Sequence, residues 1–466
     1  FQYLRNLAYF GMATYSYKGR YTINGTLRYE GSNMLGKSRQ ARWLPTWNVS
    51  GSWNAHEENW WAPTFGKAWT YASLKGSYSL TADRGPASNS LAVFTSFTPW
   101  RPSTSANESA IILAALENSE LTYEKKNELN IGVALGFVDN RINVEFDWYR
   151  RNNFDLIGYT QTMGVGGVTT KLANDATMES TGCEFTISTT NIKTKDFKWT
   201  TDWIFGWAEN TITKLDSRSQ VYSLVNGVGR TEGRPIGALY SIPFAGLTEE
   251  GLPTFFIDAE HTQVVGPGNY ADIYFQEYEN IDYLKYEGTI DPKITGSFGN
   301  TFSWKGLKLN VFFTYSFGNV LRLDNLCPVY SSDYSDLTAS MKEMKNRWMV
   351  PGDENVTTIP SIPTVRQMRE IDALNNAYSA YNYSTERVAK GDFIRLKELS
   401  LAYDLPKKYF EGQNAVSSFG VKLSATNLWL AYADKKLNGR DPEYYNTGGV
   451  SSPVPRQFTL TVKLGF

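Results

Sequence analysis

RQFTLTVKLGF occupies positions 456–466. Phe458, Leu460, Val462, Leu464 and Phe466 alternate with Gln457, Thr459, Thr461, Lys463 and Gly465. Successive side chains of a strand point to opposite faces, so this stretch is a strand with one apolar and one polar face. The apolar face must be covered by a protein core or by lipid, and which of the two covers it decides the fold.

Working outward, the same alternation recurs. Leu307, Leu309, Val311, Phe313, Tyr315 and Phe317 share one parity, as do Ile142, Val144, Phe146 and Trp148, and Leu129, Ile131, Val133, Leu135 and Phe137. Cys183, Phe185 and Ile187 form another such set, and Trp199, Trp203, Phe205 and Trp207 a further one. About thirteen segments of this kind are expected, mostly near ten residues long, the length a tilted strand needs to cross a bilayer. Four tight connections separate some of them: YKGR (17–20), VDNR (138–141), KTKD (193–196) and WKGL (304–307). Between these lie long stretches at 81–123, 153–180, 210–292, 318–392 and 431–455. A compact soluble domain seldom carries several loops of that length. Short turns at one end and long loops at the other suit an outer-membrane barrel. Trp148, Trp207, Tyr29 and Trp53 fall near strand ends, as an interfacial girdle requires.

Composition is compatible with this. The chain has 466 residues, 14 Trp, 29 Tyr and a net charge of −1, so no strong pull toward nucleic acid or anionic lipid is implied. Mean hydropathy is −0.38, which fits strands that are apolar only at every second position. No run of about 18 apolar residues offers a transmembrane helix. FQYLRNLAYF (1–10) lacks the charged start and apolar middle of a signal peptide and reads as part of a mature or truncated chain. Alternation alone does not separate apolar-inward from apolar-outward, so a soluble all-β propeller or multi-sandwich lectin stands as the competing fold.

Several blocks then carry a resemblance. GDFIRLKELSLAYDLPKKYF (391–410), VKLSATNLWL (421–430), GRDPE (439–443) and PVPRQFTLTVKLGF (453–466) together resemble the carboxy-terminal signature of SusC/RagA-type TonB-dependent outer-membrane transporters. YSYKGRYTINGTLRYEGS (15–32), LTYEKKNELNIGVALGFVDNRINVEFDWY (121–149), ESTGCEFTI (179–187), EGRPIGALY (232–240) and ITGSFGNTFSWKGLKLNVFFTYSFGN (294–319) precede it in the family's order. The resemblance implies an all-β transmembrane antiparallel barrel of about 22 strands, with residues 1–466 as its carboxy-terminal part. Signal, amino-terminal extension, plug and about nine strands would lie outside this chain. It implies import of a large nutrient, an oligosaccharide or a peptide, across the outer membrane of a Gram-negative bacterium. The implied partners are a SusD-like surface lipoprotein as lid, TonB acting through the plug, the remaining barrel segment and outer-membrane lipid. No cofactor is implied, and no calcium loop is present.

Catalysis finds little support in the residues. His56 and His261 are the two histidines, and neither sits in a metal-binding spacing. GVGG (164–167) lacks the strand-turn-helix setting of a phosphate loop. Glu145, Asp147 and Asp202 lie on polar strand faces, where a glycosidase pair or ordinary lumen charge are both compatible with the pattern. Cys183 fills a small lipid-facing position, and Cys327 lies in a long loop. Loop aromatics Trp100, Tyr330, Tyr334, Tyr378, Tyr381 and Tyr383 are the candidate substrate contacts, because aromatic faces stack on sugars and peptide side chains alike; packing between loops would use the same residues. An adhesion barrel without transport and a barrel hydrolase are the alternative functions.

Three local expectations follow. Phe458, Leu460, Val462 and Leu464 should face lipid, with Thr459, Thr461 and Lys463 toward the lumen. Between Ile394 and Leu405 the apolar parity slips, from Ile394 and Leu396 to Leu399, Leu401, Tyr403 and Leu405, so a β-bulge is expected at Lys397–Glu398. SDLTASMKEMKNRWMV (335–350) places Leu337, Met341, Met344 and Trp348 at three- and four-residue spacing. It predicts a short amphipathic helix followed by an extended IPSIPT arm, together serving as docking surface for a lid.

Overall fold

The computed structural model of the protein describes residues 4–465 apart from 67, 86–89, 99–108, 166, 327–341, 407–408, 410–416 and 446–454. Thirteen long strands belong to one antiparallel sheet. They are β1 (Asn6–Tyr17), β2 (Tyr21–Ser32), β3 (Trp43–Asn54), β4 (Trp69–Asp83), β5 (Glu124–Phe137), β6 (Ile142–Gln161), β7 (Thr170–Lys193), β8 (Phe197–Leu215), β9 (Ile294–Trp304), β10 (Leu307–Phe317), β11 (Phe393–Asp404), β12 (Ser418–Ala433) and β13 (Gln457–Gly465). The chain divides into two compact units. One is Phe1–Asn191 with Thr200–Ser217 and Glu232–Arg234; the other is Ile192–Trp199, Arg218–Thr231 and Pro235–Phe466. No helix among the described residues is long and apolar enough to cross a membrane.

In the first unit the register keeps one face apolar from strand to strand. Tyr9 opposes Tyr29, Tyr15 opposes Ile23, Leu27 opposes Trp47, Val49 opposes Tyr78, and Leu74 opposes Val133. The other face pairs Thr14 with Asn24, Ser50 with Ser77, and Ser77 with Asn130. Tyr9, Tyr15, Ile23, Leu27, Val49, Leu74 and Tyr78 are all exposed. A sheet whose apolar side stands exposed along these residues, while its other side is polar, has the polarity of a barrel wall in lipid rather than of a soluble sandwich. The propeller and lectin folds are thereby set aside.

The second unit repeats this arrangement. Val311 opposes Leu399, Leu309 opposes Leu401, Leu401 opposes Leu423, and Leu423 opposes Leu460. Phe458, Leu460, Val462 and Leu464 stand exposed, Phe458 at 68%. The predicted bulge is present. Phe312 pairs with Glu398 and Phe313 with Leu396, so Lys397 is the inserted residue. The insertion keeps Ile394, Leu396, Leu399 and Leu401 on one face despite their change of parity, because one extra residue shifts the side-chain period by one.

Tight turns form where the sequence places them. Lys18 and Gly19 both have positive φ, 54° and 68°, and the Arg20 N–H donates to the Tyr17 carbonyl at 3.0 Å. Lys305 and Gly306 repeat the pattern at 44° and 92°. Two successive left-handed residues give the type I′ hairpin, whose twist matches the strands it joins.

Two boundaries differ from the sequence expectation. The stretch 153–180 is not an irregular loop. β6 and β7 continue as a paired hairpin to Gln161 opposite Thr170, making strands of 20 and 24 residues. Register shifts between Asn153 and Leu156 and between Leu156 and Ile157 hid the alternation. Asp155 there has φ 58°, and its carbonyl accepts from Asn174 Nδ2 at 2.7 Å. The second difference concerns 335–350. Residues 335–341 lie outside the described residues, and the remainder holds one 3-10 turn, Lys342–Asn346, rather than an amphipathic α-helix. Among the described residues, the α-helices of this region are Val365–Glu370 and Leu374–Asn382.

The largest buried cluster belongs to the loops of the second unit, not to the sheet. Val221, Leu224, Ile242, Phe255, Tyr270, Leu374 and Tyr381 are among its members. Short strand pairs, Ala238–Ser241 with Lys285–Thr289 and Phe244–Leu247 with Pro253–Phe256, frame it. These connections are a folded assembly with its own core, as their length requires.

Candidate functional site

The polar face of each unit carries a cleft. In the second unit a cavity of ≈ 440 Å³ is lined by Lys308, Glu398, Asp404, Lys422 and Lys463, with Asn310 and Ser400 between them. Lys422 Nζ meets Glu398 at 3.2 Å, and Thr301 donates to Asn310 at 3.1 Å. The strand pleat places these groups on one face: Asn310 opposes Ser400, Lys308 and Lys422 both oppose Ala402, and Asp404 and Lys463 both oppose Gly420. In the first unit a cavity of ≈ 260 Å³ is lined by Asn24, Ser50, Lys75, Ser77 and Asn130. Asp147 is held by Lys75 at 3.0 Å, and Asp202 accepts from Ser188 at 2.7 Å. Ion-paired and hydroxyl-bonded carboxylates on a polar wall are suited to binding a polar solute.

At the loop end of the second unit, the segment after β12 folds back onto the polar face. Arg395 sits on β11 opposite Thr314 and is 3% exposed. It forms ion pairs with Asp441 and, at 3.3 Å, with Glu443. Arg440 pairs with Asp324, Arg387 pairs with Glu343 at 2.5 Å, and Asn438 donates to the same Glu343 at 2.9 Å. Leu437 and Tyr445 bury against Leu321, Leu323 and Ala389. The GRDPE run noted in the sequence is thus the anchor of this returning loop. Nothing local in the sequence signalled that the partner of Asp441 lies on a strand 46 residues away.

A second anchor is Arg322. Its Nη1 donates to Ser241 Oγ at 3.1 Å and to the Ser384 carbonyl at 2.9 Å; its Nη2 donates to the carbonyls of Val225 at 3.2 Å and Tyr240 at 2.5 Å. Burial lowers the guanidinium pKa to about 10, so it stays charged at neutral pH. One cation thereby ties three separate loop segments to its own, using the fixed fork that suits Arg to this role.

The candidate contact aromatics divide. Trp100, Tyr330 and Tyr334, like Cys327, lie outside the described residues. Tyr378 and Tyr381 are 3% and 1% exposed. Tyr378 donates to the Ser361 carbonyl at 2.7 Å, and Tyr381 packs edge-on against Phe244 at 5.7 Å. These two rings offer no free face to a solute and belong to the loop core. The cause is the helix Leu374–Asn382, which buries Leu374, Ala377, Tyr378 and Tyr381. Their spacing of three, one and three is a helical stripe that was readable in the sequence. Tyr383, just past that helix, is half-buried beside Tyr222 and Phe275, with the Arg322 guanidinium 6.0 Å from its ring. His56 contacts the Ala72 carbonyl at 2.9 Å, and His261 stacks on Phe256.

No family model matches the chain. It is 26% identical over 98% of its length to "TonB-dependent receptor P3" of Formosa agariphila, covering 45% of that protein. It is 28% identical over 45% of its length to "TonB-dependent receptor SusC" of Bacteroides thetaiotaomicron, covering 21% of that protein. Among solved structures it superposes on the RagAB peptide transporter with a TM-score of 0.75 at 22% identity, over 99% of this chain and 47% of that one. The chain spans about half the length of the curated relatives it matches over its full extent.

Proposed function

We propose that this chain, which matches SusC/RagA-type TonB-dependent transporters over part of their length, works in active import of a large nutrient through a plugged outer-membrane barrel. It is an outer-membrane protein of the β-barrel kind, crossing with strands rather than helices. The observation that carries the transport reading is the combination of an apolar outer face, a polar inner face with clefts, and a folded loop assembly at one end of the strands. Short turns lie on the periplasmic side in such barrels and long loops outside, so the loop assembly is the surface that meets solute first.

TonB and a plug supply the drive, and a SusD-like lipoprotein closes the loop end as a lid. The substrate is an oligosaccharide or a peptide. Mixed charge from Lys308, Lys422, Lys463, Glu398 and Asp404 suits a peptide, and the hydroxyls and amides around Asn24, Ser50 and Asn130 suit a glycan. Tyr383, with Trp100, Tyr330 and Tyr334, is proposed to contact it, whereas Tyr378 and Tyr381 belong to the loop core. The reading is tested by purifying the protein from outer membranes in mild detergent, identifying what accompanies it by mass spectrometry, and measuring nutrient uptake with and without TonB. A co-purifying lipoprotein and TonB-dependent uptake are expected. Solute binding with uptake indifferent to TonB would make the protein an adhesion or binding barrel instead.

A further inference from the structure

The connection 55–68 between β3 and β4 lies at the tight-turn end of its unit. The Asn54 N–H donates to the Arg20 carbonyl at 2.7 Å, and the Val138 N–H donates to the Ala68 carbonyl at 3.0 Å, tying it to the first two tight turns. Its path is unusual. Trp61 of the helix Trp61–Phe65 is buried on the apolar face of the sheet, not the polar one. Trp61, 6% exposed, forms a buried cluster with Ala55 and Ala72, against which Trp53 and Leu135 pack. Trp53 opposes Leu74, and Ala72 opposes Leu135, so the strand partners Trp53, Ala72 and Leu135 belong to the apolar outer face.

Beyond Trp61 the rings continue without a gap. Trp61 lies 5.2 Å from Phe65 and 5.7 Å from Trp69, and Trp69 lies 5.4 Å from Phe137. Trp60 is 48% exposed, and Phe65 and Trp69 are each 39% exposed. Polar groups sit against the same structure. Glu58 accepts from the Tyr21 hydroxyl at 2.5 Å, from Trp53 Nε1 at 3.3 Å and from Arg20 at 3.2 Å, and Trp61 Nε1 donates to the Trp69 carbonyl at 2.9 Å. Aromatic bodies with satisfied polar tips, continuous with a lipid-facing wall and bordered by charge at the strand ends, are the chemistry of the bilayer's polar–apolar boundary.

We propose that this connection is an interfacial foot, seated in the phospholipid headgroup layer at the tight-turn end, with Trp60, Phe65 and Trp69 as its lipid-contacting rings. It rests on the reading of the apolar face as lipid-facing. A periplasmic protein as occupant is disfavoured by the continuity of the rings with the wall: what covers Phe137 and Leu74 must also border Trp69.

The test uses protein purified from outer membranes, carrying Cys183→Ser and Cys327→Ser, and reconstituted in phosphatidylcholine vesicles. An environment-sensitive fluorophore is placed by Thr64→Cys, which keeps every ring of the cluster, and separately by Trp60→Cys. A control probe is placed by Leu460→Cys on the outer face of β13. Nitroxide-labelled lipids, one at the headgroup and one deep in the acyl chain, serve as quenchers, with iodide as the aqueous quencher. The expected result is greater loss of fluorescence from the headgroup label than from the deep label at Thr64 and Trp60, with shielding from iodide, while Leu460 responds to the chain label. Iodide quenching at Thr64 and Trp60 with no response to either lipid, while Leu460 still responds, overturns the foot and leaves the barrel. Failure of Leu460 itself to respond to lipid overturns both.

Discussion

At the scale of the residue, position along the pleat decides what a substitution costs. Val462 opposes Val421 on the outer face, whereas Thr461 opposes Lys422 on the inner face. Val462→Arg should destabilise the folded protein by about 2–4 kcal/mol if it lies near the bilayer midplane, whereas Thr461→Arg should change little. Urea titration in lipid vesicles reads both, and equal costs would contradict the facing of β13. Arg395 gives the second case. Removing one partner of a buried ion pair leaves the other uncompensated, at about 3–5 kcal/mol. Arg395→Met should therefore release the loop that carries Asp441 and Glu443, seen as faster trypsin cleavage after Lys436 or Arg440. Adding Asp441→Asn should add little further effect, because the pair is already broken. The ion pair could not be read from sequence: Arg395 looked like one more polar residue on an alternating strand.

At the scale of the element, backbone geometry carries the specificity. Deleting Lys397 removes the bulge and rotates one end of β11 to the wrong face, so that either Ile394 and Leu396 or Leu399 and Leu401 turn into the polar lumen. Loss of folded, heat-modifiable protein is expected, while Lys397→Ala, which keeps the extra residue, should fold normally. Gly306 is constrained in a different way. Its φ is 92°, and an added Cβ would stand 2.5 Å from the Asp404 carbonyl oxygen. Gly306→Ala should cost at least the 1–2 kcal/mol, roughly, of a left-handed non-glycine residue, measured by the same urea titration. Both features were legible, since a parity slip and a Lys-Gly pair between alternating runs are local signals. The β6–β7 hairpin was less so, because its bulges broke the alternation that identifies strands.

At the scale of the whole molecule, the strands separate two chemically different ends. Within the second unit, Lys305 belongs to a tight turn and Val356 to the loop end, where it is 83% exposed. In a background of Cys183→Ser and Cys327→Ser, Val356→Cys should react in intact cells with a membrane-impermeant maleimide. Lys305→Cys should react only once the outer membrane is opened. The reverse pattern would invert the orientation and with it the placement of the loop assembly toward incoming solute. The deletion of 335–350 tests the same scale. It should weaken co-purification of a lid while leaving the barrel inserted, and an undiminished lid would assign that stretch to loop packing alone.

The sequence by itself determined most of the strands, which of their residues share a face, the tight turns and the bulge. All of these follow from a side-chain period of two, which the backbone enforces within a few residues. The tertiary structure alone decided how the loops close on themselves. Arg322 reaches the Tyr240 carbonyl across 82 positions, Arg440 reaches Asp324 across 116, and Trp61 finds its cover on the outer face of strands that flank it. Such contacts leave no periodic trace, because each depends on where distant segments have already been placed by the wall. Tyr378 and Tyr381 show the division: their helical spacing was readable, but which loop segments cover that stripe was decided by the packing.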